Sequence, residues 1–127
     1  ELIIDNAEKG LFKACQETHA IIRDYTACPI YFQGNDAGGH EWIIEFEQRP
    51  DDIEKFTDLL DQTLREINSD YDAKRYKDMA LRRPLVHVVE DGTFYHWMKN
   101  RGKLGGQHKV PRLANDRTYV DEILKLL

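Results

Sequence analysis

The sequence lacks the features that mark membrane proteins, disulfide-stabilised proteins and zinc proteins. Only two of its 127 residues are cysteines, Cys15 and Cys28, and they form neither a C-x-x-C pattern nor a zinc-ligand spacing. We expect two reduced, partly buried thiols, as in a cytoplasmic protein, rather than a disulfide. No hydrophobic run approaches the roughly 18 to 20 residues of a membrane span, and no secretory leader precedes the first predicted helix. These absences favour a cytoplasmic protein with no membrane partner.

The motifs of common catalytic and nucleotide-binding sites are also missing. The chain contains no Walker-type G-x-x-x-x-G-K-[ST], no G-x-G-x-x-G and no G-x-S-x-G. The five histidines fall on five different predicted elements, without the i, i+4 spacing of a helical metal site, so we predict no metal site. His87, inside the apolar run LVHVV, is expected to be a hydrogen-bonded core histidine. A catalytic triad stays open, because its members meet in space and not in sequence.

The net charge of −5 is unevenly distributed along the chain. Residues 41–61 contain eight acidic and two basic residues, whereas residues 96–117 contain six basic residues and one acidic residue. Duplex nucleic acid is an unsuitable partner for this acidic chain, because its binding relies on a broad basic surface. A local cationic site for one small anion fits the distribution better.

Hydrophobic periodicity predicts a single domain with the element order α-β-β-α-α-β-α-α. Residues 20–47 are typical of a β-hairpin. Trp42, Ile44 and Phe46 share one face of its second strand, and the other face is expected to be solvated and to carry Glu41, Glu45 and Glu47. The apolar run at 85–89 indicates a buried central strand. We therefore predict an α+β fold in which helices cover a small mixed sheet of three to four strands.

The loop GKLGGQHKVPR, residues 102–112, is the clearest candidate site in the sequence. Its three glycines let the backbone swing or approach a ligand closely, and Pro111 biases Val110 towards an extended conformation. Lys109 offers a mobile point charge, whereas Arg112 offers a planar fork suited to a carboxylate or phosphate. On physical grounds alone, a surface loop with solvated cations is an equally good interpretation.

The segments INSDYDAKR, DGTF and QHKVPR follow one another along the chain, with a predicted strand between the first two. This order resembles the C-terminal region of the auxin-responsive Gretchen Hagen family of acyl acid–amido synthetases, which belong to the adenylate-forming ligases. The family pattern is N-x-x-Y-x-x-x-R, a strand, G-T-F, then Q-Y-K-x-P-R. The matching residues are Asn68, Tyr71 and Arg75, then Gly92, Thr93 and Phe94, then Gln107, Lys109, Pro111 and Arg112. His108 replaces the tyrosine of plant members, and the sequence is closer to bacterial members.

The resemblance implies that residues 1–127 are the C-terminal lid domain of such a ligase, without the large N-terminal domain. The reaction would join a carboxylic acid to ATP, giving an acyl-adenylate and pyrophosphate, after which an amine, typically from an amino acid, displaces AMP. ATP, with Mg²⁺, would be bound mainly by the N-terminal domain, which is this chain's implied partner. The lid would rotate between the two half-reactions, and the isolated chain is expected to be inactive.

The same resemblance implies roles for four residues of the loop in contacting the nucleotide. Lys109 is the candidate catalytic residue and would act on the phosphate or acyl-phosphate oxygens. Arg112 would either share that anion site or brace the loop, and Gln107 and His108 would line the interface with the nucleotide.

Outside the loop, the resemblance implies mainly structural residues. Tyr71 and Arg75 are expected to be a structural pair that holds their helix against the sheet, with substrate contact as the alternative, and Phe94 and Trp97 are expected in the core. Two alternatives to a ligase lid remain. The chain could be an independent small anion- or nucleotide-binding module, or a pure interaction domain with an exposed apolar patch away from Lys109.

Overall fold

The elements of the fold follow the order that the periodicity predicts. The structure, a computed structural model, describes residues 2–31, 37–101 and 110–127. A short 3₁₀ turn at Tyr76–Asp78 follows the third helix. In chain order the helices and strands are α1 (Ile4–Thr18), β1 (Ile21–Tyr31), β2 (Gly38–Gln48), α2 (Ile53–Ile67), α3 (Ser69–Arg75), β3 (Leu85–Val89), α4 (Thr93–Asn100) and α5 (Thr118–Leu124).

The sheet has three strands in the order β1-β2-β3 and is mixed, as predicted. The first two strands pair antiparallel and form the expected hairpin, whereas β2 and β3 pair parallel. The prediction of a central position for β3 is wrong, because β2 is central and β3 lies at the edge, with Leu85 exposed. The 11-residue β2 has a strand on each side, and its apolar residues are buried. The five-residue β3 has a strand on one side only, and most of its residues are half-buried or exposed.

Helices cover both faces of this sheet and form two separate apolar clusters. Helices α1 and α2 pack over one face, where Leu11, Leu60 and Trp42 belong to one core. The two helices approach closely at Gly10, where a Cβ would lie 2.9 Å from Leu60 Cδ1. Helices α4 and α5 cover the opposite face with a second core, whose members include Ile43, Phe94, Trp97, Val120 and Ile123. The expected core positions of Phe94 and Trp97 are thus confirmed.

The second layer of helices overturns one sequence expectation. Glu41 and Glu45 are 4% and 2% exposed rather than solvated, whereas Glu47 is exposed as expected. Both buried glutamates lie on the face of β2 that carries Ile43, beneath α4 and α5. A buried carboxylate needs hydrogen-bond partners to offset the loss of water, and both glutamates have them. Glu45 accepts hydrogen bonds from the backbone N–H groups of Gly92 (3.1 Å) and Phe94 (3.0 Å) at the start of α4.

Candidate functional site

The segment that ends the candidate loop is fastened to the outer edge of β1. Of the four residues proposed from sequence, Gln107, His108 and Lys109 lie outside the described residues, and Arg112 lies within them. The Ala27 N–H donates to the Arg112 carbonyl at 3.0 Å, and the Ala114 N–H donates to the Ala27 carbonyl at 2.9 Å. Residues 112–114 are therefore paired with β1 at Ala27 in a fixed register.

The side chains of this segment add further contacts. The Thr26 hydroxyl donates to the Pro111 carbonyl at 2.6 Å. Arg112 Nη1 donates to Asp24 Oδ1 at 2.8 Å, and its guanidinium carbon lies 4.8 Å from the centre of the Tyr25 ring. Such a guanidinium gains from both the carboxylate charge and the electron-rich ring face. Of the two roles left open for Arg112, this geometry matches the bracing one.

Tyr25 links this brace to the first helix. Its hydroxyl donates to Glu8 Oε2 at 2.9 Å. Burial raises the pKa of the Tyr25 hydroxyl, and the hydrogen bond to Glu8 raises it further. The ring beside Arg112 is therefore a neutral phenol at physiological pH, and it is held at both its face and its hydroxyl.

The residue that precedes the candidate loop is held in a similar way. Arg101 follows α4, and its Nη1 donates to both carboxylate oxygens of Glu122 on α5, at 2.6 and 2.7 Å. The guanidinium carbon lies 5.4 Å from the Trp97 ring centre and 5.1 Å from that of Tyr119. Hydrogen bonds from Arg101 and Trp97 hold the pKa of Glu122 below its usual range, so the pair is fully ionised near neutral pH.

Pairing within the fold accounts for three of the six basic residues between 96 and 117. Arg101, Arg112 and Arg117 each form an ion pair with a carboxylate of the domain. The other three basic residues of this stretch are lysines, of which Lys99 is exposed and Lys103 and Lys109 lie outside the described residues. The cationic character that the sequence suggests for this region therefore belongs to its lysines and not to its arginines.

A polar cluster around the buried Glu41, beside α5, was not foreseen from the sequence. Glu41 Oε1 accepts from Arg117 Nη2 at 2.7 Å, and its second oxygen is hydrogen-bonded to His87 Nε2. Arg117 also donates to Asp121 at 2.9 Å and to the Pro29 carbonyl at 3.1 Å. The cluster joins all three strands to α5. Its histidine, His87, is hydrogen-bonded as predicted, but it is 30% exposed on the edge strand and so is not a core residue. Its members are far apart in the sequence, and no spacing rule brings them together.

Neither cysteine has the properties of a nucleophile. Burial raises the pKa of both thiols to about 11, and Arg117, which lies 3.6 Å from the Cys28 sulfur, does not reverse the shift. A thiol with this pKa is almost entirely protonated at neutral pH and is a poor nucleophile. Both cysteines are free, as the sequence predicts.

Tyr71 and Arg75 form the structural pair that was expected, and their partner is a carboxylate of α2. Asp61 accepts from the Tyr71 hydroxyl at 2.6 Å and from Arg75 Nε and Nη2, both at 2.7 Å. Arg75 also donates to the Leu81 carbonyl at 3.2 Å. All three side chains are largely buried, so this network joins α3 to α2 and to the segment that leads to β3.

Two of the larger cavities in the described part of the chain have volumes within the range of small-molecule sites. The first, of about 450 Å³, is lined by apolar residues together with Tyr71, Lys74 and His40. Burial and the nearby Lys74 lower the pKa of His40 to about 4, so its ring is neutral at physiological pH. Lys74 itself lies 3.2 Å from Asp70. This cavity therefore offers a phosphate little positive charge.

The second cavity, of about 620 Å³, lies between α1 and β1 and contains Arg112, Arg23 and Glu8. Phe12 and Ile21, which line it, are 67% and 47% exposed. Of its two guanidinium groups, the one at the end of the candidate loop, Arg112, is already paired with Asp24. Exposed apolar surface and the end of the candidate loop thus lie side by side, and not on separate parts of the domain.

The described part of the chain has no cluster of metal ligands and no helix that could span a membrane. Among the described residues, no three His, Cys, Asp or Glu side chains gather as they would around a metal ion. No helix in the described ranges is both long enough and apolar enough to cross a bilayer.

Comparisons with known proteins place this geometry in a family. Residues 5–118 match the model of the GH3 family C-terminal domain. The fold is similar to the solved structures of AtGH3.15 acyl acid amido synthetase in complex with 2,4-DB (16% identity, TM-score 0.71) and of GH3.15 acyl acid amido synthetase (18% identity, TM-score 0.71). Each match covers 95% of this chain and 23% of the other, and no curated protein matches the sequence. The family match spans most of the chain and agrees with the fold, so the protein belongs to the GH3 family and comprises its C-terminal domain.

Proposed function

We propose that this domain is the lid of an ATP-dependent ligase that forms an acyl-adenylate and conjugates a carboxylic acid to an amine or amino acid. The main support is the family match, because the two similar solved structures are acyl acid amido synthetases about four times as long as this chain. The remaining length in such proteins would hold the adenylation domain. The two free cysteines suit the reducing cytoplasm, which we propose as the compartment.

In this proposal the domain contributes charge, and its partner domain holds the nucleotide. The described residues form neither a cationic cavity nor a group of metal ligands, so ATP and Mg²⁺ would be bound by the N-terminal adenylation domain. Attack of the acid on the α-phosphate breaks the bond to pyrophosphate and builds negative charge on the phosphate oxygens. A positioned cation stabilises such charge most effectively where water is excluded.

Lys109 is the residue to which we assign this role. The neighbouring Arg112 is paired with Asp24, so the lysine three positions before it is the better candidate for a charge that acts outside the fold. Gln107 and His108 would contact the nucleotide from the same segment. Rotation of the lid after adenylation would withdraw these residues and admit the amine, whose attack on the acyl carbon releases AMP.

The described geometry gives less support to the two alternatives. An independent anion-binding module needs an unpaired cationic pocket, whereas the cation of the first cavity lies beside an aspartate and its histidine is neutral. A pure interaction domain would have its apolar surface far from Lys109. Phe12 and Ile21 instead line the cavity that contains Arg112. We therefore interpret that exposed surface as part of the contact with the adenylation domain.

The test is replacement of Lys109 in the full-length enzyme. Lys109→Ala should lower ATP–pyrophosphate exchange by about tenfold or more, because one positioned charge is lost from the transition state. Lys99→Ala is the matched control, since it removes an exposed lysine from the same basic stretch and should leave exchange unchanged. Wild-type exchange in Lys109→Ala, with folding confirmed by circular dichroism, would refute the assignment.

A further inference from the structure

The first cavity, which we call the His40 cavity, has the composition of a site for a small amphipathic molecule. Its volume of about 450 Å³ lies within the range of small-molecule sites, and its lining residues come from β1, β2, α3 and the segments around Leu81 and Leu113. Much of its wall is apolar and includes Leu2, Pro29, Ile30, Leu81 and Leu113. A ligand that fills this cavity therefore needs an apolar body.

His40 contributes a polar group to the cavity that the described fold does not use. Burial lowers the pKa of its ring to about 4, so at physiological pH the ring is neutral and carries one N–H donor and one acceptor nitrogen. Its ring centre lies 6.1 Å from that of Tyr71, and among the residues that the structure describes none forms a hydrogen bond with its nitrogens. The Tyr71 hydroxyl, by contrast, is engaged by Asp61 at 2.6 Å. A ligand polar group would give the His40 ring the partner it lacks within this part of the chain.

Two opposite charges lie side by side on the wall of the same cavity. Lys74 Nζ and Asp70 Oδ2, one turn apart on α3, are 3.2 Å from each other, and both side chains are 53% exposed. A phosphate or a simple carboxylic acid is a poor match, because the attraction of Lys74 is offset by the repulsion of Asp70. A zwitterion matches both charges, because its carboxylate can pair with the lysine while its ammonium pairs with the aspartate.

We propose that the His40 cavity binds an α-amino acid with an apolar side chain. The carboxylate of the amino acid pairs with Lys74, its ammonium group pairs with Asp70, and its side chain occupies the apolar part of the cavity beside Ile30 and Leu81. The site involves neither Lys109 nor a nucleotide. It therefore goes beyond the proposed function and holds whether or not the ligase assignment is correct.

Titration of the 127-residue chain with L-phenylalanine, followed by the backbone amide resonances, tests for the site. We expect saturable shifts at Gly39, Leu81 and Leu113, with half-saturation at about 1 mM or below. No saturable shift up to about 10 mM would overturn the proposal. Shifts confined to the surroundings of Phe12 and Ile21 would also overturn it, because they would place the ligand in the second cavity.

Two analogues of phenylalanine, combined with two variants, test the charge pairing. L-phenylalaninamide keeps the ammonium group and lacks the carboxylate, whereas N-acetyl-L-phenylalanine keeps the carboxylate and lacks the ammonium group. Lys74→Met should weaken the binding of L-phenylalanine by about threefold to fivefold, because a half-exposed ion pair is lost, and should not weaken that of the amide. Asp70→Asn should weaken L-phenylalanine to a similar extent and should not weaken the N-acetyl compound.

The matched control is Lys9→Met on α1. It breaks the Asp5–Lys9 pair, which has the same spacing of one helical turn, a length of 3.0 Å and two exposed side chains, and which does not line the His40 cavity. Binding of L-phenylalanine should be unchanged in this variant. An equal loss in Lys9→Met and Lys74→Met would overturn the proposal. A loss in Lys74→Met that is as large for the amide as for the amino acid would also overturn it.

The outcomes for this site and for the proposed function are distinguishable. Absence of L-phenylalanine binding, together with loss of exchange in Lys109→Ala, would overturn the amino acid site and leave the ligase function intact. Binding with the predicted charge dependence, together with full exchange in Lys109→Ala, would support the amino acid site and refute the role of Lys109.

Discussion

Asp61 is a carboxylate whose charge is used entirely inside the domain. Burial alone would raise its pKa, but the hydrogen bonds from Arg75 and Tyr71 outweigh that effect, and the pKa lies below its ordinary value of 3.8. The charged form is therefore favoured by the folded state. A group of this kind stabilises the fold above its unfolded-state pKa, and the contribution is lost as the pH falls towards the lower folded-state value.

This gives a stability prediction with a defined pH range. Asp61→Asn should lower the free energy of unfolding at pH 7 by about 3 kcal/mol, because Arg75 remains buried without its counter-charge. The difference from wild type should shrink as the pH falls below 3.8, because Asp61 of the unfolded chain takes up a proton there, whereas Asp61 of the folded chain does so only at a lower pH. Urea unfolding at pH 7 and at pH 3 measures both values.

The control is Asp58→Asn, which alters an exposed carboxylate on the same helix as Asp61. Asp58 pairs with Arg83, and its replacement should change stability by about 0.5 kcal/mol or less. An Asp61→Asn deficit that is equal at the two pH values would contradict this explanation.

Individual residues were predictable from the sequence where their type alone decided the outcome. Phe94 and Trp97 are buried as expected, and Tyr71 and Arg75 form the expected structural pair. Glu41 and Glu45 were assigned to the wrong environment, because their burial depends on helices more than 40 residues further along the chain. Ile43, which lies between them on the same face, was the one local sign that this face also carries a core.

Among the elements, α4 depends on a contact that comes from the sheet. The helix begins directly after Gly92, whose φ of +90° favours glycine. The N–H groups of Gly92 and Phe94 lie at its start, where the backbone has no acceptor within the helix. Both donate to Glu45 of β2, so a buried carboxylate caps the positive end of the helix dipole. A helix of eight residues is too short to be stable by itself, and we infer that this cap and the apolar contacts below it hold α4 in place.

The cap yields a prediction for the helix as a unit. Glu45→Ala should lower the free energy of unfolding by about 2 kcal/mol, because the buried N–H of Phe94 and the partly buried N–H of Gly92 lose their acceptor. The Phe94 amide should also exchange faster with solvent. Glu47→Ala, on the exposed face of the same strand, should change stability by less than about 0.5 kcal/mol. An unaltered exchange rate at Phe94 in Glu45→Ala would show that packing alone positions the helix.

The strands illustrate the limit of periodicity as a guide. The hairpin of β1 and β2 was predictable from alternation and from the turn composition between the strands. The position of β3 was not, because an apolar run of five residues is typical of a buried strand and carries no information on strand order. Its place at the edge follows from the crossover through α2 and α3, which puts β3 beside β2 opposite to β1.

At the scale of the whole molecule, the fold is a sheet covered by helices on both faces, and many of its charged side chains pair with one another. The arginines of the basic stretch are paired within the domain. The described pairing does not account for the three lysines of this stretch, which are Lys99 and, within residues 102–109, Lys103 and Lys109. The family and the α+β class were predictable from the sequence, because they depend on local motifs and on periodicity, whereas the roles of the loop residues stay a prediction. The ion pairs of Arg101 with Glu122 and of Arg112 with Asp24 were not predictable, because each joins residues that meet only in the folded chain.

The central claim is that this domain acts only on a nucleotide held by another domain, and nucleotide titration of the isolated 127-residue chain tests it most directly. We predict no saturable shift of any backbone amide resonance when ATP or AMP is added up to about 1 mM, a concentration that detects affinities down to roughly −4 kcal/mol. Saturable binding of either nucleotide that disappears in Lys109→Ala would contradict the claim, because the domain would then hold a nucleotide by itself.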